Sequence, residues 1–161
     1  MVYLKNFAGF INKKGRNITP FKYTEARNFA EGRAAVKYHN SWGFINTAGK
    51  EVIPVRYQEV SDFIDGLVKV ELDNKWGSID IDGRKIVALK YDDMADFSDG
   101  MAAVKMDGKW GFVDKRGKLV IPLKFREVGT FVNGFACVTE TAGNENDYFI
   151  TKTGERVQLF P

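Results

Sequence analysis

The chain has 161 residues, a length that suits one globular domain and leaves little room for a second. Its net charge is +3 at a pI near 8.9, with 28% charged residues, a balance too even to point to nucleic acid or to a membrane surface. One cysteine, Cys137, excludes an intrachain disulfide and a cysteine-based zinc site, and no apolar run approaches the length of a membrane span or a secretory leader core. A cytoplasmic location is the default expectation, replaced by a secreted or envelope-associated one if the chain is part of a longer precursor.

The first element met along the chain is already a copy of those that follow. Gly9, Gly43, Gly77 and Gly111 fall 34 residues apart, as do Gly15, Gly49, Gly83 and Gly117, and the aromatics Phe29, Phe63, Phe97 and Phe131. Frames of about 1-34, 35-68, 69-102, 103-136 and 137-161 divide a single all-β repeat domain over 1-161, with the first and last frames acting as caps. Periodicity of this kind marks a tandem array of small units, none holding a core of its own.

Within one frame the elements run in a fixed order. Ala102-Ala-Val-Lys105 is a first strand, Asp107-Gly108 a tight hairpin connection, and Trp110-Gly-Phe-Val-Asp114 a second strand antiparallel to it. A turn follows at Asp114-Lys-Arg-Gly117, matched by Asn12 to Gly15, Asn46 to Gly49 and Asp80 to Gly83, where an Asx opening and a glycine close suit a type I turn ending in a left-handed residue. The third strand, Lys118-Leu-Val-Ile121, is expected to stop at Pro122, which recurs as Pro20 and Pro54 with Ala88 as the exception. The stretch through Lys124-Phe-Arg-Glu-Val128 to Phe131 reads as extended or turn-like, with room for a fourth short strand.

No window of eleven residues keeps helical spacing, so each unit is a three- to four-stranded antiparallel sheet. Adjacent apolar residues, as at Val52 and Ile53, require cover on both faces, which neighbouring units supply. Ala8 stands in the first copy where others carry tryptophan, and Glu140 to Asn146 lengthens the last hairpin by three residues. The last copy lacks its final aromatic segment and no spare strand precedes Val2, which favours an open twisted array over a five-bladed propeller.

The block Asp107-Gly-Lys-Trp-Gly-Phe-Val-Asp-Lys-Arg-Gly-Lys-Leu-Val-Ile-Pro122, followed by Lys124-Phe-x-Glu-Val and Phe131-x-x-Gly, resembles the bacterial WG-repeat, or KWG-repeat, family over essentially the whole chain. The resemblance implies a β-repeat module that binds or scaffolds, with no shared catalytic activity and no agreed ligand. The segment Gly-Lys-Trp-Gly-Phe-Val-Asp-x-x-Gly is also similar to the hairpins of choline-binding and toxin cell-wall-binding repeats, which prompts a lectin-like alternative.

Trp42, Trp76 and Trp110 hold one position in three successive units. Exposed, they would form a ladder for stacking sugar rings, choline groups or bases; packed on the next unit, with Gly43, Gly77 and Gly111 making room, they would be core, which is how a large aromatic repeated in register is usually used. Arg16, Lys50, Arg84 and Lys118 form a basic row beside the turn glycines, and Lys22, Arg56, Lys90 and Lys124 form another. Such rows could hold a polyanion, yet Glu25, Glu59, Asp93 and Glu127 follow the second by three residues and Glu31, Asp65 and Asp99 make a further acidic row, so solvated turns and charged strand edges explain them better.

The aspartates around Asp80-Ile-Asp-Gly83 resemble a fragment of a calcium loop without its distal ligands, and turn-making is their expected role. His39 has no recurring counterpart, and Cys137 aligns with Ala35 and Ala103 as a small buried strand residue. These residues predict no catalytic centre, cofactor or metal. They point to a non-catalytic module with a still unidentified protein partner, and alternatively to polysaccharide or cell-envelope binding.

Overall fold

A computed structural model describes residues 1–140 and 147–158, and among them every regular element is a β-strand. In chain order these are β1 (Val2–Leu4), β2 (Phe7–Gly9), β3 (Glu25–Ala26), β4 (Arg33–Tyr38), β5 (Ser41–Asn46), β6 (Glu51–Tyr57), β7 (Glu59–Val60), β8 (Leu67–Leu72) and β9 (Lys75–Asp80). They continue as β10 (Lys85–Tyr91), β11 (Asp93–Met94), β12 (Met101–Met106), β13 (Lys109–Asp114), β14 (Leu119–Phe125), β15 (Glu127–Val128), β16 (Phe135–Thr139) and β17 (Asp147–Thr151). Among the described residues the fold is all-β: five antiparallel sheets of two to four strands, one per repeat, none closing into a barrel. Contacts divide the chain into two compact units, Met1–Asn74 with Ile79–Arg84, and Lys75–Ser78 with the chain from Lys85 onward. The lengthened hairpin expected at 141–146 lies outside the described residues.

Two-residue turns with positive φ at both positions make the sheets. Asp107 and Gly108 (φ 50° and 75°) join β12 to β13, and His39 with Asn40 (48° and 64°) does the same for β4 and β5. Such turns match the twist of paired strands, and Asn, Asp and Gly tolerate the left-handed region. The sequence reading missed a second set. Asp65-Gly66 and Asn133-Gly134, at φ 51° with 77° and 51° with 89°, close hairpins in which Ile64 and Leu67, or Val132 and Phe135, exchange two backbone hydrogen bonds. The Phe-x-x-Gly segment is therefore a hairpin. It hands the short fourth strand to the sheet that follows: β3 pairs with β4, β11 with β12 and β15 with β16. From the second on, each sheet thus begins about ten residues before the sequence frame.

The third strand does not stop at its proline. β14 runs from Leu119 through Pro122 to Phe125, and β6 runs through Pro54 to Tyr57. Between the pairs Trp110↔Phe125 and Phe112↔Ile121 the register shifts, so that Gly111 alone faces Pro122, Leu123 and Lys124; Gly43 faces Pro54, Val55 and Arg56 in the same way. Proline survives there because this is an edge strand with a bulge, where its missing N–H costs no ladder bond. The bulged backbone presses on the glycine. A Cβ on Gly111 would lie 2.5 Å from the Ile121 carbonyl oxygen, and one on Gly43 2.7 Å from that of Ile53. The glycine of each Trp-Gly pair makes room for this strand, and not for a tryptophan of the next unit.

Each sheet has a leading and a trailing face. In the first unit Ala8, Phe10 and Tyr23 of the first sheet pack on Ala34, Val36 and Ile45 of the second. In the second unit Met101, Ala103, Phe112, Ile121 and Phe125 pack on Ala136, Val138 and Ile150. The leading phenylalanine receives the aromatic of the following hairpin edge-on, Phe10 with Phe29 at 5.1 Å, Phe44 with Phe63 at 5.0 Å and Phe112 with Phe131 at 4.8 Å between centroids. In the third copy Ser78 holds that place, fully buried, its hydroxyl without a partner among the described residues. Ser78→Ala is expected to stabilise the protein by about 1 kcal/mol by removing an unsatisfied buried polar atom; a lower midpoint of urea unfolding would contradict it.

Candidate interaction surface

The charged rows separate into those spent on the fold and those left on the surface. Asn12, Asn46, Asp80 and Asp114 accept two backbone N–H bonds each through Oδ1, Asp80 from Asp82 and Arg84 at 2.9 and 2.8 Å. The turn-making role expected for Asp80 is the one the geometry provides. No group of His, Cys, Asp and Glu able to hold a metal occurs among the described residues.

The second acidic row clasps successive repeats. Glu31 Oε2 accepts the Gly66 N–H at 2.8 Å in the first unit, and Asp99 Oδ2 accepts the Gly134 N–H at 2.6 Å in the second. Lys152 adds an ion pair to Asp99 at 2.7 Å. The Lys152 bond and the Gly134 amide together hold the Asp99 carboxyl below the ordinary range, as Lys75 and the Asp107 amide do for Asp92. A depressed carboxylate stabilises the fold above its unfolded pKa, and that contribution is lost as pH falls through the lower folded value. Stability is therefore expected to hold at neutral pH and to decline below the ordinary carboxylate range. Asp99→Asn keeps an acceptor for Gly134 but loses the charge, so its acid unfolding curve should slope less steeply; an unchanged slope would contradict the clasp.

The basic row Arg16, Lys50, Arg84 and Lys118 lies exposed beside the turn glycines, with Arg84 3.0 Å from Asp82 and 3.6 Å from Asp80. Trp42 is only 3% exposed, paired with Tyr57 across the sheet and covered by cations, the Arg27 guanidinium at 4.8 Å and the Lys37 ammonium at 5.4 Å from its ring. Its indole N–H is buried without a partner among the described residues. Trp76 and Trp110 are half-buried, and Lys105 lies 5.4 Å from the Trp110 ring. Trp42 is thus a packing residue and no open platform. His39 sits exposed in its turn, edge-on to Tyr38. Cys137 is half-buried, less enclosed than its counterparts Ala35 and Ala103.

Three repeats expose an edge strand of one kind. β6, β10 and β14 share one burial pattern, in which Pro54, Ala88 and Pro122, and then Arg56, Lys90 and Lys124, face solvent. Each cation lies over the aromatic beside it, Arg56 on Tyr57 at 5.1 Å, Lys90 on Tyr91 at 5.3 Å and Lys124 on Phe125 at 4.9 Å. The buried ring fixes the stem of the cation; the Arg56 guanidinium donates to the Tyr57 hydroxyl at 3.0 Å, and the Lys124 ammonium pairs with Glu140 at 2.7 Å. One clue was in the sequence: a cation always precedes the aromatic.

Antiparallel sheets repeated every 34 residues, three of them ending in the same kind of edge strand, define a tandem all-β repeat protein. The WG containing repeat model matches residues 9–41, 42–76, 76–110 and 110–140, and the chain belongs to that family. Among solved structures it is similar to KlHsv2 with loop 6CD replaced by a Gly-Ser linker, at 12% identity and a TM-score of 0.49, over 78% of this chain and 47% of that one. The chain spans less than half of that protein. A search of curated proteins gave no match. Among the described residues no helix is long and apolar enough to cross a membrane.

Proposed function

We propose that this chain is a non-catalytic binding or scaffold module that engages another protein through its edge strands. The observation that supports this reading is the repetition of one exposed motif, a cation seated on a buried aromatic beside a proline, on β6 and β14, with Ala88 in the proline's place on β10. Equivalent contacts repeated along one chain raise the avidity of a partner able to reach more than one. The burial of Trp42, with two cations against its ring, weighs against the lectin-like alternative.

Affinity capture tests the proposal, using the immobilised chain against nuclease-treated lysate and, in parallel, purified envelope polysaccharide. A stoichiometric protein partner is expected, retained by the wild type and lost from an Arg56→Glu, Lys90→Glu, Lys124→Glu variant of unchanged thermal midpoint. Retention of polysaccharide competed by free sugar, or turnover of a substrate by the purified chain, would overturn it.

A further inference from the structure

The first and the last of the five sheets each leave exposed a face of the kind that, within each unit, is buried against a neighbouring repeat. On the last sheet, Phe149, Cys137 and Phe135 occupy the leading positions held in the preceding sheet by Phe112, Ala103 and Met101. Phe112 is 1% exposed, whereas Phe149 is 43% exposed. Around Phe149 lies a groove of about 640 Å³ lined by Val132, Phe135, Cys137 and Val157.

The first sheet presents the opposite face. Ala8, paired with Tyr3, is buried against the second sheet, so the alternate pairs Val2↔Gly9 and Leu4↔Phe7 point the other way. In the 34-residue frame Val2 and Ile11 match Val36 and Ile45, the residues that the second sheet buries against the first. Here Leu4 is 54% exposed, with Phe7 and Ile11 exposed beside it. Phe7 is informative on its own. Later copies carry Ser41, Lys75 and Lys109 at that position, so a large apolar side chain appears at the terminal face and polar ones elsewhere.

We propose that the chain associates head to tail with a second copy of itself, the leading face of the last sheet in one copy receiving the trailing face of the first sheet in the other. The contact continues the packing found within each unit, where Phe10 meets Ala34, Val36 and Ile45, and Phe112 meets Ala136, Val138 and Ile150. Apolar patches of this kind on a surface mark association sites. Because the two patches differ, the contact is heterologous, and it either closes a small ring or propagates.

Sedimentation velocity on the 161-residue chain tests it. The average mass of the wild type is expected to rise above the 18.2 kDa of one chain as concentration increases. Phe149→Glu, which spoils only the leading face, and Phe7→Glu, which spoils only the trailing face, should each weaken association by about a hundredfold or more. An equimolar mixture of the two should restore a species of two chains, since each variant keeps the face that the other lacks. Circular dichroism and the thermal midpoint report whether each variant is folded, and Leu4→Glu replaces Phe7→Glu if that variant is not. A wild type that stays a single chain at several hundred micromolar, or two single-chain variants whose mixture forms no pair, would overturn the proposal.

Discussion

Alanine in place of Gly117 is expected to cost about 3–5 kcal/mol, enough to unfold much of the second unit at room temperature. Two effects combine. Gly117 closes its turn at φ 78°, a conformation that alanine adopts only with strain of about 1 kcal/mol or more. A Cβ there would also overlap the Ile86 carbonyl oxygen, which is backbone and has no rotamer to yield. Gly15 holds the same turn position at φ 74° with nothing within 4 Å of the added carbon, so Gly15→Ala isolates the strain and should cost only about 1 kcal/mol. Urea unfolding of both variants measures the difference. Equal losses would mean that the turn of one repeat does not press on the strand of the repeat before it.

The second large effect is at the Trp-Gly pair. Gly111→Ala should destabilise by about 3 kcal/mol or more, because the added carbon would lie 2.5 Å from the Ile121 oxygen, 2.8 Å from the Pro122 carbonyl carbon and 2.9 Å from the Leu123 nitrogen. Its backbone lies outside the left-handed region, so the whole cost is the close approach of the bulged strand. Gly129 provides the comparison within the same unit: its nearest neighbour would be the Cys137 oxygen at 3.6 Å, an ordinary contact, and Gly129→Ala should be nearly neutral. A mild Gly111→Ala would mean that β14 can straighten, and that the glycine serves some other purpose.

The period of 34 residues, the absence of helical spacing and two of the three turn types could be read from residue order alone, because turns are local and their chemistry is written in Asx and Gly. Pairing is not local, and there the reading ran short. Pro122 signals the end of a strand unless the strand is known to be an edge with a bulge, which only the register with Gly111 reveals. Glu127 and Val128 follow β14 in sequence yet pair with β16, since the turn at Asn133 and Gly134 returns the chain to the following sheet. Glu31 and Asp99 read as one more solvated acidic row, because the amides that they accept lie 35 residues further on. Cys137 aligns with buried alanines, but burial depends on what lies over the face, and over the last sheet that cover is incomplete.

The tryptophans divide the two readings of function, and Trp42 does so most sharply. With Trp76→Phe and Trp110→Phe in place, Trp42 is the sole tryptophan, and its fluorescence under iodide quenching reports the access of solutes to its ring. An indole at 3% exposure, with Arg27 and Lys37 against its ring, should emit to the blue of free tryptophan and be quenched only weakly, leaving recognition to the edge strands. Quenching close to that of free tryptophan, with emission shifted by added polysaccharide, would make Trp42 an open stacking platform and contradict the assignment of recognition to the edge strands.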